Sequence, residues 1–409
     1  MNITGITAEY DPFHYGHLYQ MKKAAELTGA DGLIVVLGGD FLQRGTPCMI
    51  PKSLRARMAV DSGADLVLSM PYIYSVNSSS EYTRGAVSVL ESAGCVDNIS
   101  FGCENDDLET LEKAASASSD DENLAPLIKE NLSKGISYAE ALTRSAERFY
   151  GREVSDVLRT PNNLLACGYL SALKELDSGI KPVPVKRRES SAYGDASGSP
   201  CVSASRVRGL LKEGKADQAR SLVPPAAAAV LKELFPDGKT AASWAAEADC
   251  SMLRLLRYRI MTSGRRELAA VYSAAEGIEA RAAAAALADG VRVMDDFIDI
   301  IKTKRYTRSR ISRMLVHTLM NFRAEDFSEL RGVRYARVLG FSEKGREILS
   351  VMKKKSDMPV LSNLAGLSRY DEKVRRSVEL DIRAAGLYNM LHGGSDITGG
   401  EYKYVPYRG

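Results

Sequence analysis

Four short β-rich runs recur in the first hundred residues with a helical pattern after each, and that rhythm is the strongest constraint on the fold. The runs are ITGITAE (3–9), GLIVVLG (32–38), DLVLSMP (65–71) and DNISFG (97–102), and they read as buried strands. Between them apolar residues return at three-to-four spacing. Leu18, Met21 and Ala25 mark a helix over 16–28, Tyr82, Ala86, Val89 and Leu90 one over 78–94, and a third covers 51–62. Strands alternating with helices predict an α/β domain of Rossmann-like form, with a parallel sheet.

The rhythm breaks at Asn105. From about 105 to 160 only helical spacing remains, carried by Leu108, Leu111, Leu124, Ile128 and Leu132, which predicts a helical insertion. KPVPVKR (181–187) then reads as a fifth strand, ESSAYGDASGSP as a loop, and SASRVRGLLKEG as a helix with serines near its start. Beyond about Val223 the chain is rich in Ala, Leu, Arg and Glu and reads as helical throughout, ending in an extended tail, GGSDITGGEYKYVPYRG. A chain of 409 residues is too long for one ordinary core. The expected division is therefore 1–220, an α/β domain with its insertion, and 221–409, an all-α domain.

Composition removes several function classes. Apolar residues make up 45% and charged residues 26%, a globular balance. No run approaches the roughly 18 apolar residues of a membrane helix, and MNITGITAEYDPF lacks the basic start and apolar stretch of a leader, which predicts a cytoplasmic protein without membrane contact. Cys48, Cys95, Cys103, Cys167, Cys201 and Cys250 show no CxxC spacing, so reduced and mostly buried thiols are expected rather than a zinc site or disulfide framework. The net charge of +3 hides one local feature. KTKRYTRSRISR places Lys302, Lys304, Arg305, Tyr306, Arg308, Arg310 and Arg313 within twelve residues that contain no acid. On a helix Lys304, Arg305 and Arg308 would form one stripe, suited to RNA phosphates.

The chain has only four histidines, and two of them, His14 and His17, flank a glycine in EYDPFHYGH. They stand where the first strand ends and the first long helix begins. Pro12 stops the strand, and Gly16 permits a close backbone approach. The carboxyl edge of an open α/β sheet is where ligands bind. A helix starting there presents free N–H groups and the positive end of its dipole, a ready anion site. Two imidazoles added to that site would donate hydrogen bonds to phosphate oxygens whose charge rises during attack at phosphorus. That chemistry suits displacement at the α-phosphate of a nucleoside triphosphate. A metal site is disfavoured, because no third ligand has matching spacing. His317 and His392 lack this context and are expected at the surface or in packing.

EYDPFHYGH, followed by GGDFLQRGTPCMIPKSLRARMAVDSGADLVLSMP, resembles the tRNA(Met) cytidine acetate ligase family of HxGH nucleotidyltransferases. FGCEN, RTPNNLLACGYLSAL, VKRRESSAYGD, IIKTKRYTRSRISRMLVHTLMNF and YARVLGFSEKG extend the resemblance, in order, over most of the chain. The resemblance implies a two-step reaction. ATP and acetate give acetyl-adenylate and pyrophosphate, and the acetyl group passes to N4 of the wobble cytidine of elongator tRNA(Met), with Mg2+ expected alongside ATP. Acetate is already ionised near neutral pH, so the first step needs positioning and charge stabilisation rather than a general base.

Carried onto this chain, the ATP site comprises Thr7, Ala8, Glu9, Tyr10, Asp11, Pro12, Phe13, His14, Tyr15, Gly16, His17, Leu18, Tyr19 and Gln20, with His14 and His17 as the catalytic pair. Gly102, Asn162 or Asn163, Arg187 and Arg188 complete it, one asparagine capping a helix while the other binds. Ser203, Ser205 and Arg208 are candidate phosphate contacts. Asp40, Gln43 and Arg44 follow the second strand and serve either acetate or the loop, and Lys52, Arg55 and Arg57 either flank the site or line a solvated helix face. Where EYNPFHNGH is the expected pattern this chain carries Asp11 and Tyr15, and Asp40 and Arg206 are further departures. Asp11 would place an extra negative charge beside a triphosphate. Two other readings remain open at this level. One is an HxGH nucleotidyltransferase acting on a small phosphorylated substrate; the other is a non-catalytic, nucleotide-sensing RNA-binding protein.

Overall fold

The computed structural model describes residues 1–119, 122–187, 202–303 and 305–409; Arg188, Cys201 and Lys304 lie outside the described residues. Five strands fall where the apolar runs predict them: β1 (Ile3–Ala8), β2 (Gly32–Leu37), β3 (Leu66–Ser69), β4 (Asn98–Cys103) and β5 (Lys181–Lys186). They pair in parallel in the order β5-β4-β1-β2-β3. Ile3 faces Gly32 and Ala8 faces Leu37 across the first pair, so the carboxyl ends of β1 and β2 finish level. Pro182 and Pro184 are tolerated in β5 because it is the edge strand, where a missing N–H leaves no ladder bond unmade.

Three further strands come from the second half of the chain: β6 (Ala336–Phe341), β7 (Val360–Leu361) and β8 (Tyr407–Arg408). β6 runs antiparallel to β3, with a register shift between Val67 and Leu68, and pairs in parallel with both β7 and β8. The expectation of an all-α segment from 221 to 409 is therefore corrected. In β6, Ala336, Val338 and Leu339 are wholly buried because the strand lies between β3 and further cover, so it lacks the polar alternation that marks a strand. A short apolar run of that kind is indistinguishable from buried helix by periodicity. The tail is likewise packed rather than extended: Glu401 is buried, and the Tyr404 hydroxyl donates to the Leu339 carbonyl at 2.5 Å.

The two sheet faces carry separate apolar cores, set by the two-residue period of the strands. Ile3, Ile34, Leu66, Leu68, Ile99 and Phe101 point to one; Ile6, Leu33, Val35, Leu37 and Val67 point to the other. Both cores run across residue 220. Met252, Leu256, Leu315 and Leu391 join the first, and Val230, Leu231, Phe235 and Leu339 the second. The helical insertion is present as Leu108–Ser118, Ala125–Ser133, Tyr138–Tyr150 and Arg152–Val157, leading into Pro161–Glu175.

The carboxyl edge of the sheet is braced from inside. Arg55, on helix Lys52–Asp61, has no exposed surface. Its guanidinium donates to the carbonyls of Ile50 (2.8 Å), Glu9 (2.6 Å), Gly38 (3.1 Å) and Gly39, tying together the ends of β1 and β2 and the loop that follows. Lys52 is also buried, between Asp40 (3.1 Å) and Glu401 (2.7 Å). Neither side chain lines a solvated face, while Arg57 is partly exposed and paired with Glu233 at 2.7 Å.

Candidate active site

Helix Tyr15–Thr28 starts directly after β1, and His14 is its N-cap. The His14 Nδ1 accepts the N–H of Gly16 at 3.1 Å, and the His17 Nδ1 accepts the N–H of His14 at 3.3 Å. The two rings stack with centroids 3.6 Å apart and planes 20° from parallel. Gly16 is required between them because a Cβ there would lie 2.9 Å from the His14 Cε1 and 3.0 Å from its Nδ1.

Protonation follows from these contacts. Burial, then the positive charges of Arg187 and Arg208, push His14 down to about 3. Burial, then His14 and Arg187, hold His17 well below its ordinary value. Both imidazoles are neutral near pH 7, and each uses Nδ1 as an acceptor. The single proton of each ring therefore sits on Nε2, leaving two N–H donors free to meet an anion.

His14 and His17 line a cleft of about 430 Å³ at the carboxyl edge, together with Gly16, Tyr19, Gln20, Gly102, Glu104, Asn162, Val185, Lys186, Arg187, Val202 and Ser203. Two helix N-termini open onto it. One belongs to helix Tyr15–Thr28, and the other to helix Ala204–Lys212, capped by the Ser203 hydroxyl, which accepts the N–H of Arg206 at 3.3 Å. Both supply N–H groups and dipole charge to the same volume.

The predicted residues divide accordingly. From 7–20, the cleft receives His14, Gly16, His17, Tyr19 and Gln20, joined by Gly102, Asn162, Arg187 and Ser203. Thr7 and Ala8 end β1, Tyr10 and Phe13 are buried in the second core, Pro12 is buried behind the turn, and Tyr15, Leu18 and Ser205 are not among the cleft's lining residues. Asp11 is buried, its carboxylate accepting the N–H groups of Met49 and Ile50, each at 3.0 Å. It closes the loop after β2. Arg208 donates to the Asp11 carbonyl at 2.6 Å. Asp40 accepts the Lys52 N–H at 2.9 Å and pairs with its ammonium, a loop-holding role.

The asparagine pair separates by role. The Asn163 carbonyl accepts the N–H groups of Glu104 (2.8 Å) and Asn105 (3.1 Å), so this buried side chain shapes the turn after β4. Asn162 lines the cleft and donates to Glu104 at 2.5 Å. Neither caps the helix; that position is Thr160. Glu104 and Lys186 belong to the cleft without having been singled out from sequence. Their signal is positional, since each lies within two residues of Gly102 or Arg187 at the end of an adjacent strand.

Burial explains the remaining histidines. His317 is buried against the Tyr72 hydroxyl at 2.8 Å, and His392 stacks on Trp244 with ring centroids 4.0 Å apart. Among the described residues, no group of three or more His, Cys, Asp or Glu side chains is placed to hold a metal ion.

The basic run is reorganised by the fold. The helix begins at Arg308 rather than at 302, so Arg305 and Arg308 do not form a helical stripe. Tyr306 is buried, its hydroxyl donating to the Glu276 carbonyl. Arg308 pairs with Asp295 and Asp299, and Arg310 with Glu276 at 3.5 Å while lying over the Tyr306 ring. The acids missing from the run come from neighbouring segments. Lys302 and Arg305 remain exposed, and Arg313 is partly buried.

Comparison with known proteins agrees with the geometry. Residues 1–399 match the family described as HIGH Nucleotidyl Transferase. The tRNA(Met) cytidine acetate ligase of Thermoanaerobacter sp. (strain X514) is 34% identical over 403 residues, covering 98% of each chain. The ligase of the same name from Leuconostoc mesenteroides subsp. mesenteroides is 34% identical over 96% of this chain and 95% of its own. Crystal structures of Thermotoga maritima TmcAL, one bound with alpha-thio ATP and one apo, superpose with TM-scores of 0.87 and 0.88 at 27% identity, covering 100% of this chain and 99% of theirs. A cleft built on a capped histidine pair, within a chain aligned end to end with these enzymes, identifies this protein as a member of the HIGH nucleotidyltransferase family, in its tRNA(Met) cytidine acetate ligase branch.

Proposed function

We propose that this chain uses ATP to activate acetate as acetyl-adenylate and transfers the acetyl group to N4 of the wobble cytidine of elongator tRNA(Met), forming N4-acetylcytidine. The observation that carries the reading is the neutral histidine pair with both Nε2 protons available at a helix N-terminus. In the first step an acetate oxygen bonds to the α-phosphorus and the bond to pyrophosphate breaks. Charge builds on the α-phosphate oxygens, where two N–H donors and the helix N–H groups are worth most. Neutral donors are well matched to that charge, because they stabilise it without giving up a proton. In the second step the cytidine amine bonds to the acetyl carbon, AMP departs with the bridging oxygen, and the amine loses a proton.

Arg187 and Lys186 bring positive charge to the cleft's β5 side, where they balance the triphosphate. Magnesium is proposed only as part of the ATP complex. It keeps several waters and binds mainly phosphate oxygens. Binding of tRNA is assigned to residues 221–409 together with the carboxyl-edge loops.

The test is incubation of the purified protein with tRNA(Met), ATP, magnesium and labelled acetate, beside a reaction in which acetyl-CoA replaces ATP and acetate. Label on cytidine only in the first is the expected result. His17→Ala should lower acetate-dependent ATP–pyrophosphate exchange by about 100-fold or more, in line with removal of an oxyanion donor, with an unchanged circular dichroism spectrum. Exchange that required a phosphate ester in place of acetate would instead favour the small-molecule nucleotidyltransferase.

A further inference from the structure

Several arginines around the helical half are matched with acids. Arg308 has Asp295 and Asp299, Arg310 has Glu276, Arg331 has Glu81, and Arg259 has Glu267. Among the described residues, neither Arg313 on this half nor Arg44 on the turn after β2 has a carboxylate partner, and their backbones meet at one contact.

The segment after β2 forms a tight turn: Phe41 bridges to Pro47, Leu42 donates to the Thr46 carbonyl at 2.8 Å, and Gly45 donates to the Leu42 carbonyl at 2.8 Å. Its tip rests on helix Arg308–Met320. Gly45 adopts φ +79°, and a Cβ there would lie 2.3 Å from the Arg313 nitrogen and 2.5 Å from the Ser312 carbonyl carbon. Backbone touches backbone at this point, which sets the Arg44 and Arg313 positions at one contact. The turn is also anchored: Gln43 donates from its backbone to Glu9 at 2.6 Å and from its side chain to the Asn77 carbonyl at 2.7 Å.

Arg313 is partly buried, and burial together with the nearby Arg310 lowers its affinity for its own proton. The groups facing it are Tyr272, His317 and Arg310, none of them anionic at neutral pH. A partly desolvated guanidinium with no acid partner of its own is costly until an external anion arrives. Arg44 stands exposed on the turn.

We infer that Arg44 and Arg313 form a clamp for a phosphodiester of the RNA strand, on the β2 flank of the carboxyl edge. This rests on the proposed function. The adenylate cleft lies on the β4 and β5 side of β1, and the clamp follows β2 on the other side. An RNA strand held there would lie across the mouth of the edge with a base free to enter. The same two charges would also attract a small carboxylate, so the test separates phosphodiester from acetate.

The measurement is tRNA(Met) binding by fluorescence anisotropy over a range of KCl, with acetate-dependent ATP–pyrophosphate exchange on the same preparations. Arg44→Ala is expected to weaken binding several-fold and to reduce the slope of log K against log salt by about 0.7–0.9, and Arg44→Ala with Arg313→Gln by about twice that. Arg44→Lys should retain the wild-type salt slope, which a purely structural role would not demand. Exchange should keep its acetate KM within twofold. Unchanged tRNA binding and slope in Arg44→Ala, an exposed position whose replacement leaves the fold intact, would overturn the clamp. So would a raised acetate KM with normal tRNA binding, which would assign the pair to the acid. A wild-type protein that binds tRNA but shows no exchange would defeat the proposed function while leaving the clamp measurable; one that binds no tRNA would defeat the clamp.

Discussion

At the residue scale, Gly16 separates what stability and chemistry ask of one position. Glycine inside the first turn of a helix is about 1 kcal/mol less favourable than alanine, yet a methyl group there collides with the imidazole that caps the helix. Gly16→Ala is therefore expected to leave the melting temperature within a few degrees of wild type. It should lower pyrophosphate exchange by roughly 100-fold, the scale of loss for a catalytic group displaced by about 1 Å. Thermal denaturation and exchange on one preparation check both halves. The histidine pair was legible in sequence because strand, turn and helix were all visible around it. Asp11 was not: a carboxylate beside the motif suggests charge near phosphate, and only the fold shows it spent on the N–H groups of Met49 and Ile50.

At the scale of elements, the ends of β1 and β2 and the turn into helix Lys52–Asp61 are held by one buried guanidinium. Arg55→Met would leave those carbonyl oxygens without donors in a site closed to water, at a cost of roughly 3–5 kcal/mol. Urea unfolding should show the midpoint falling with the slope unchanged. Arg55→Lys should not restore it, because one ammonium cannot reproduce the planar fork. From sequence, Lys52 and Arg55 looked like ordinary helix charges, since their acceptors are backbone atoms of other segments or acids far away in the chain. β1 to β5 were readable because each is a local apolar run bounded by turns. β6 was missed because its strand character comes from pairing with β3, whose neighbouring Asp65 side chain meets Ser342 at a separation of 277 residues. The pairing inside the basic run was hidden for a related reason, as Asp295, Asp299 and Glu276 reach Arg308 and Arg310 from other elements.

On the scale of the whole molecule, all four histidines are held neutral by burial: His14 and His317 at about 3, His392 at about 4, and His17 also well below its ordinary value. The unfolded chain takes up protons near pH 6.5 that the folded chain refuses until much lower. Their contribution is therefore complete above about pH 7 and is lost as pH falls from 6.5 toward 3. Asp381, pushed up to about 6 by burial, works in the opposite sense and adds stability as pH falls through that value; Glu9, also raised by burial, has the same sign. For His14, His317 and His392 the loss at pH 5 is roughly 2 kcal/mol each, against about 1 kcal/mol regained from Asp381. The protein should thus be less stable to urea at pH 5 than at pH 7.5 by several kcal/mol, and equal stability at the two pH values would contradict the buried neutral state. The pairing of β3 with β6 has a consequence in time. At a synthesis rate of about 5–20 residues per second, the 277 residues between Asp65 and Ser342 take on the order of 15–55 s to emerge. Throughout that interval Leu66–Ser69 offers nascent neighbours an unguarded apolar edge, so the yield of folded protein should depend on what shields the growing chain.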